Sequence, residues 1–445
     1  MNVMLISLGC DKNLVDSEMM LGMLSDAGYT ITNDESEAEV IVVNSCCFIM
    51  DAKEESIDTL IEMGALKKTG KLKALIAAGC LAQRYADEIH KEIPEVDAIV
   101  GTSAIDQLIP VIDSVLSRQS RDAVKDINLP PICGKRRILT TGGYYAYMKI
   151  AEGCDKRCTY CVIPQIRGSY RSVPMETLIA EAKVLAEQGV KELILVAQET
   201  TVYGQDLYHK KALPDLLQRL CRIDGIEWIR IMYCYPEEID DELIRTIKEE
   251  KKICHYLDLP IQHADDYILG RMGRRTGRND LIELIHKLRN EIPDICLRTT
   301  LITGFPGETD EMFENMARFV NEMEFDRLGV FPYSAEENTP AANMPDQVPE
   351  DVKEYRRDEI MALQQEIAFE KAEKMIGKII PALVEGRLVE EGIVIARTYM
   401  DAPGVDGYVF IETDRDLFSG TMVDVRITGS NEYDLIGGLV EDEFA

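Results

Sequence analysis

Short apolar runs alternate with helical patterns over most of this chain, and that alternation narrows its fold more than any other feature: it predicts parallel sheets with crossover helices. In the first 120 residues the runs are Val3 to Leu8, Val40 to Val43, Ala74 to Ala78 and Ala98 to Val100, separated by helical patterns such as Ser17 to Ala27. A second series offers strands at Tyr147 to Ala151, Leu193 to Val196, Trp228 to Met232, Tyr256 to Leu259, Ile295 to Leu301 and Leu328 to Phe331. Six strands alternating with helices suit a partial (β/α)6 barrel, whose functional residues sit on the loops at the strands' carboxyl ends. After a helix from about Val352 to Lys374 come the runs Ile379 to Leu388, Gly392 to Arg397, Gly407 to Ile411 and Thr421 to Ser430, which predict a small antiparallel β-barrel. The expected organisation is an α/β multi-domain chain. An N-terminal parallel-sheet α/β domain spans 1–120, a linker with Pro130-Pro131 and Lys135-Arg136-Arg137 spans 121–143, the partial barrel 144–370 and the terminal barrel 371–445.

Twelve cysteines are placed against this frame in a way that points to chemistry. Cys154, Cys158 and Cys161 follow the first strand of the second series at spacing i, i+4, i+7. Three thiols within eight residues make a poor disulfide framework, and a zinc site would normally recruit a fourth Cys or His. A cubane iron–sulfur cluster held by three thiolates keeps one iron open to a small molecule. In the first domain, Cys10 follows one strand through Leu8-Gly9, Cys46 another through Asn44-Ser45, and Cys80 a third through Gly79. A single Cys after a strand is more often an inert core thiol. Three in the same position are different, because in open α/β sheets the crevice beyond the strands' carboxyl ends is where ligands bind. The loops therefore suggest a second three-thiolate cluster. Cys47 is ambiguous, since neighbours on an extended segment point to opposite faces, and Cys46 is taken as the ligand.

Charge bounds the partners. With 49 Lys plus Arg against 79 Asp plus Glu the formal net charge is −30, and residues 371–445 carry 7 against 15. Such a surface repels phosphate backbones, so free nucleic acid is a poor partner and a basic protein a better one. Met1 to Gly9 has no basic residue ahead of its apolar run, and no stretch approaches membrane-spanning length; a cytoplasmic protein without membrane attachment is expected.

The run Cys154, Cys158, Tyr160, Cys161 resembles the cluster motif of the radical S-adenosylmethionine superfamily. The whole chain is similar to the methylthiotransferases of that superfamily, which join an N-terminal three-cysteine domain, a radical SAM barrel and a C-terminal TRAM domain. Gly9 to Glu18, Val43 to Ile49, Asp51 to Ser56 and Leu257 to His263 resemble the branch that methylthiolates the β-carbon of an aspartate in small-subunit ribosomal protein twelve. The sister branch acts on an isopentenylated adenosine of tRNA. The resemblance implies two 4Fe-4S clusters, one at Cys10, Cys46 and Cys80 and one at Cys154, Cys158 and Cys161, with S-adenosyl-L-methionine as cofactor and source of a 5′-deoxyadenosyl radical. It suggests Tyr160 against the adenine, Gln198 and Glu199 on the amino or ribose groups, and Arg298 on the carboxylate. His263 lacks a partner at ligand spacing, which leaves it a hydrogen-bonding role near the substrate. The implied partners are the basic ribosomal protein, free or in the ribosome, and an electron donor such as flavodoxin, with the enzyme a monomer. The rival readings are tRNA modification, an iron–sulfur electron-transfer or binding protein, and zinc binding; the acidic charge favours the ribosomal protein over tRNA.

Overall fold

In the computed structural model, residues 1–119 and 121–440 are described; the expected domain limits at 120 and 445 fall outside them. Five parallel strands build the first sheet, in the order Thr30–Ile31, Asn2–Ser7, Val40–Ser45, Ala74–Ala78 and Ala98–Gly101. The last three are buried along their whole length, as unbroken apolar runs require when helices cover both faces. The first long helix, Asp11–Asp26, starts six residues before the pattern at Ser17 suggested. Its opening turns carry Lys12, Asn13, Asp16, Ser17 and Glu18, all buried, and this polar face hides the apolar period that betrays a helix. Cys80 likewise sits not in a loop but in the first turn of the helix Gly79–Arg84.

Six parallel strands form the second sheet in sequence order, Tyr145–Lys149, Glu192–Val196, Trp228–Ile231, Ile253–Gln262, Cys296–Thr303 and Arg327–Pro332. The sheet does not close, so it is a partial barrel. Helices such as Met175–Glu187, Leu213–Cys221 and Asp310–Met323 bury one face through Leu178, Leu217, Phe319 and their neighbours.

The terminal unit is a closed five-stranded barrel of Ile379–Leu388, Ile393–Thr398, Val409–Glu412, Met422–Asn431 and Asp434–Leu439. Its last strand was not foreseen, because Gly437 and Gly438 break the strand pattern. That strand pairs in parallel with Val409–Glu412, so the barrel is antiparallel in four of its five pairings. The barrel packs on the other face of the six-stranded sheet, where Leu383 and Ala402 meet Ile194, Trp228, Tyr256 and Cys296. A fully buried ion network pins the contact: Glu192 binds Arg230 and Arg397, each at 2.7 Å.

Candidate functional site

At the carboxyl end of the first sheet, short polar side chains knit the strand ends together. The Asn13 amide donates to the carbonyls of Leu8 and Ser45, both at 3.0 Å, and Asn44 donates to the Asn13 carbonyl and the Ser17 hydroxyl. Ser56 accepts from the Cys46 amide and donates to its carbonyl, both at 2.9 Å, which ties the helix Met50–Thr69 to the Cys46 segment. Gly9 has φ +86°, and a Cβ there would lie 2.8 Å from the Cys46 sulfur, so only glycine lets the Cys10 and Cys46 segments approach so closely. Burial pushes the Cys46 thiol up to about 12, and the adjacent Cys80 and Cys10 add to the rise. Burial also raises Cys80, with Arg167 pulling the other way. Cys10 is exposed, whereas Cys47 is fully buried in the apolar core with Val43 and Leu60.

The second trio is carried by the loop between Glu152 and the short helix Ile163–Ile166. Gly153, at φ +78°, opens it; a Cβ there would strike the Ser169 carbonyl oxygen at 2.1 Å. Burial pushes Cys154 and Cys161 each up to about 12, and Cys158 reinforces both. Two residues that sequence reasoning missed face Cys158: the Tyr235 hydroxyl lies 3.5 Å from its sulfur and the Arg274 guanidinium 3.9 Å. Their signal is absent from any local motif, because they come from the loops after the third and fourth strands.

One buried network joins the two trios. Arg167, just beyond the second cysteine loop, donates to the Cys80 sulfur at 3.4 Å and to the Asn13 side-chain Oδ1 at 2.5 Å, and pairs with Asp16 at 2.9 Å. It also pairs with Glu152 at 3.2 Å, two residues before Cys154. Lys149 completes the network, bound to Asp16 and, at 2.8 Å, to Glu152. Burial alone would raise the Glu152 carboxyl, but Arg167 and Lys149 hold it well below its ordinary value. On the opposite flank, Lys12 sits 3.4 Å from the centre of the Tyr233 ring, and the Tyr233 hydroxyl donates to Asp11 at 3.3 Å. The residues flanking Cys10 thus touch the barrel mouth. The cavity at this seam, lined by Asp16, Lys149, Glu152 and Arg171 among others, holds only about 10 Å³, room for about one water.

The other sequence-predicted residues divide. Gln198 donates to Glu152 at 3.0 Å, and its buried carbonyl oxygen has no hydrogen-bond partner. Glu199 bonds Thr201 through one oxygen; the other has no hydrogen-bond partner and lies 3.5 Å from Lys156. Burial pushes the Glu199 carboxyl up to about 7, against the pull of Thr201 and Lys156. Tyr160 packs edge-on to Phe305 at 6.5 Å. Arg298 is already engaged, with Asp258 at 2.9 Å and Asp406 of the terminal barrel at 3.5 Å. His263 is fully buried, its Nε2 3.1 Å from Glu308, and serves the packing of the loop Gly304 to Glu308. Among the described residues no three His, Cys, Asp or Glu side chains gather closely enough for a single metal ion. Thiolates around one zinc would stand about 4 Å apart, given Zn–S bonds of about 2.3 Å. An iron–sulfur cube spreads its ligands over separate corners.

An open six-stranded α/β sheet with a three-cysteine loop after its first strand defines a radical S-adenosylmethionine enzyme, and the family model of that superfamily matches residues 148–320. Residues 2–101 match the family described as uncharacterized protein family UPF0004, and residues 376–440 match the TRAM domain. The ribosomal protein uS12 methylthiotransferase RimO of Lachnoclostridium phytofermentans is 63% identical over 98% of this chain and 99% of its own length. The RimO of Acetivibrio thermocellus is 51% identical, with 98% of each chain covered. The chain belongs to the RimO family of radical S-adenosylmethionine methylthiotransferases. Among solved structures, the methyltransferase TsrM of Kitasatospora setae, with cobalamin and a 4Fe-4S cluster bound, shares the fold at TM-score 0.55 and 14% identity, covering 84% of this chain and 75% of that one. Among the described residues no helix is long and apolar enough to cross a membrane.

Proposed function

We propose that this chain adds a methylthio group to the β-carbon of an aspartate in ribosomal protein uS12, with Cys10, Cys46 and Cys80 holding one 4Fe-4S cluster and Cys154, Cys158 and Cys161 the other. The observation that carries this reading is Arg167, which touches Cys80 on one side and Glu152, beside the Cys154 loop, on the other. The donor sets support it: each is made only of thiols, and Cys80 and Cys10 raise Cys46 as Cys158 and Cys154 raise Cys161. When bound, the clusters and S-adenosylmethionine supply the radical that takes hydrogen from an unactivated carbon and the sulfur that replaces it. The residues of the chain do the positioning. The network of Arg167, Lys149, Asp16 and Glu152 fixes the two trios relative to one another, which turns sulfur transfer into a step between held partners. The unpartnered oxygens of Gln198 and Glu199 are acceptors suited to the cofactor's ammonium or ribose groups. Tyr160 supplies an aromatic face beside the second trio. Arg298, held by two carboxylates, is left to the contact with the terminal barrel.

We infer domain boundaries at 1–120, 121–143, 144–370 and 371–445. The electrons come from a low-potential donor of flavodoxin type, and the reaction takes place in the cytoplasm. Acidic charge supports a basic protein substrate over tRNA. Mass spectrometry of products tests the whole. Cys154→Ala is expected to abolish 5′-deoxyadenosine formation, and Cys46→Ala to abolish methylthio insertion into uS12 while sparing cofactor cleavage. Full product from both variants, or a methylthio group on tRNA adenosine with uS12 unmodified, would overturn the proposal. Anaerobic reconstitution is expected to load about eight irons per chain, four per cubane.

A further inference from the structure

The two trios differ in how the protein balances the arginine beside each. Arg167, next to Cys80, is neutralised by Asp16 and Glu152 at 2.9 and 3.2 Å. Arg274, next to Cys158, forms no ion pair among the described residues, although it is only 7% exposed. One Nη donates to the Pro260 carbonyl at 2.8 Å, the other faces the Cys158 sulfur at 3.9 Å, and Nε has no hydrogen-bond partner. Glu237 acts on it only from beyond ion-pair distance, its carboxylate shared with Thr276 at 3.0 Å and Lys156 at 3.7 Å. The nearby Lys156 is itself paired with Glu199, Glu237 and Glu238. A buried cation without a counter-ion is costly unless a negative group faces it.

The loop that delivers Arg274 is built onto the cysteine loop. The helix Asp266–Arg271 ends in a left-handed Gly273 at φ +76°, with the Arg274 amide returning to the Leu269 carbonyl at 2.9 Å. From the cysteine loop, Thr159 donates its amide to the Met272 carbonyl and its hydroxyl to that of Arg271. The Tyr235 ring fills the space between, its centroid 4.2 Å from the Arg274 guanidinium carbon and its hydroxyl 3.5 Å from Cys158. Once Cys158 binds metal it has no proton to give, so in that contact the tyrosine hydroxyl is the donor.

We propose that Arg274 and Tyr235 set the reduction potential of the cluster held by Cys154, Cys158 and Cys161, raising it through the Cys158 sulfur. Reduction adds one negative charge to the cluster, and hydrogen bonds to its sulfurs together with nearby charge are the levers that fix its potential. An uncompensated guanidinium favours the reduced form; the compensated Arg167 does so far less. The protein thereby steers a single incoming electron toward the trio where the cofactor is cleaved. Both are positioning residues acting through Cys158, and the inference rests on the cluster assignment proposed above.

The test uses the full chain with Cys10, Cys46 and Cys80 replaced by Ala, so that iron is confined to the remaining trio. Its midpoint is read by EPR during dithionite titration without S-adenosylmethionine. Arg274→Gln is expected to make the reduction equilibrium at least tenfold less favourable, a drop of about 59 mV for one electron. Arg274→Lys keeps most of the parent value, and Tyr235→Phe falls by a smaller step. An unchanged midpoint in Arg274→Gln, or an equal fall in Arg274→Lys, overturns the inference. If Arg274→Gln holds no iron, Tyr235→Phe decides: a fall supports the inference and no change overturns it. Loss of iron from the parent triple variant would instead overturn the cluster assignment itself.

Discussion

Replacing Arg167 by Met strands Asp16 and Glu152 as buried carboxylates with Lys149 as their one remaining cation in the network. Breaking a buried ion network by removing one member costs about 3–5 kcal/mol, so chemical denaturation should show a loss of that order. Arg167→Lys keeps the charge but not the planar fork that reaches Asn13, Asp16, Glu152 and Cys80 together. That variant is expected to fold and to cleave S-adenosylmethionine yet to lose methylthio insertion, because only the relation between the trios is disturbed. Gly153→Ala is a second residue-scale case. With φ at +78° and the Ser169 carbonyl where the Cβ would go, the cysteine loop must shift, and iron analysis should show about half the parent's content. The six cysteines could be nominated because spacing and repeated strand-end placement are sequence properties. Arg167, Arg274 and Tyr235 were not, since each acts on a thiol far away along the chain. Arg298 was assigned to the cofactor's carboxylate from sequence, where nothing local reveals its partners Asp258 and Asp406.

At the level of elements, strands were easier to read than the helix that matters most. The strands of both sheets are apolar runs, whereas Asp11–Asp26 begins with buried polar residues that serve the junction with the barrel. The terminal barrel's fifth strand was lost to its paired glycines. The docking of that barrel gives an element-scale prediction. Burial alone would raise the Glu192 carboxyl, but Arg397 and Arg230 hold it below its ordinary value of 4.5. A depressed carboxyl stabilises the fold above its unfolded value and loses that contribution as pH falls through the folded one. Glu192→Gln leaves the buried Arg230 guanidinium without a carboxylate partner while Arg397 keeps Glu385, and a loss of about 3–5 kcal/mol is expected at neutral pH. The gap between parent and variant should stay constant from neutrality down to about pH 5 and narrow only in stronger acid. Denaturation curves across that range check it, and a gap independent of pH would show that Glu192 contributes no charge to the contact.

The three-unit architecture could be read from the change of hydrophobic period along the chain, but its most functional property, the seams between units, could not. Charge is the exception, being a whole-molecule property visible in composition. With a net of −30, and 15 acidic against 7 basic residues over 371–445, the proposed encounter with a basic ribosomal protein should be steered by attraction over many ångströms. Salt shortens that reach, from about 10 Å at 0.1 M to about 3 Å at 1 M ionic strength. The KM for uS12 should therefore climb steeply with salt, while kcat at saturating uS12 and cofactor cleavage without uS12 should change little, because the buried network between the trios is shielded from ions. Lysines placed at the exposed Glu390, Glu391 and Asp424 of the terminal barrel should flatten the salt dependence and raise KM at low salt. The measurement is a set of steady-state curves at several ionic strengths for parent and variant. A KM indifferent to salt in the parent would mean that recognition rests on shape and direct contacts, with the acidic surface serving solubility alone.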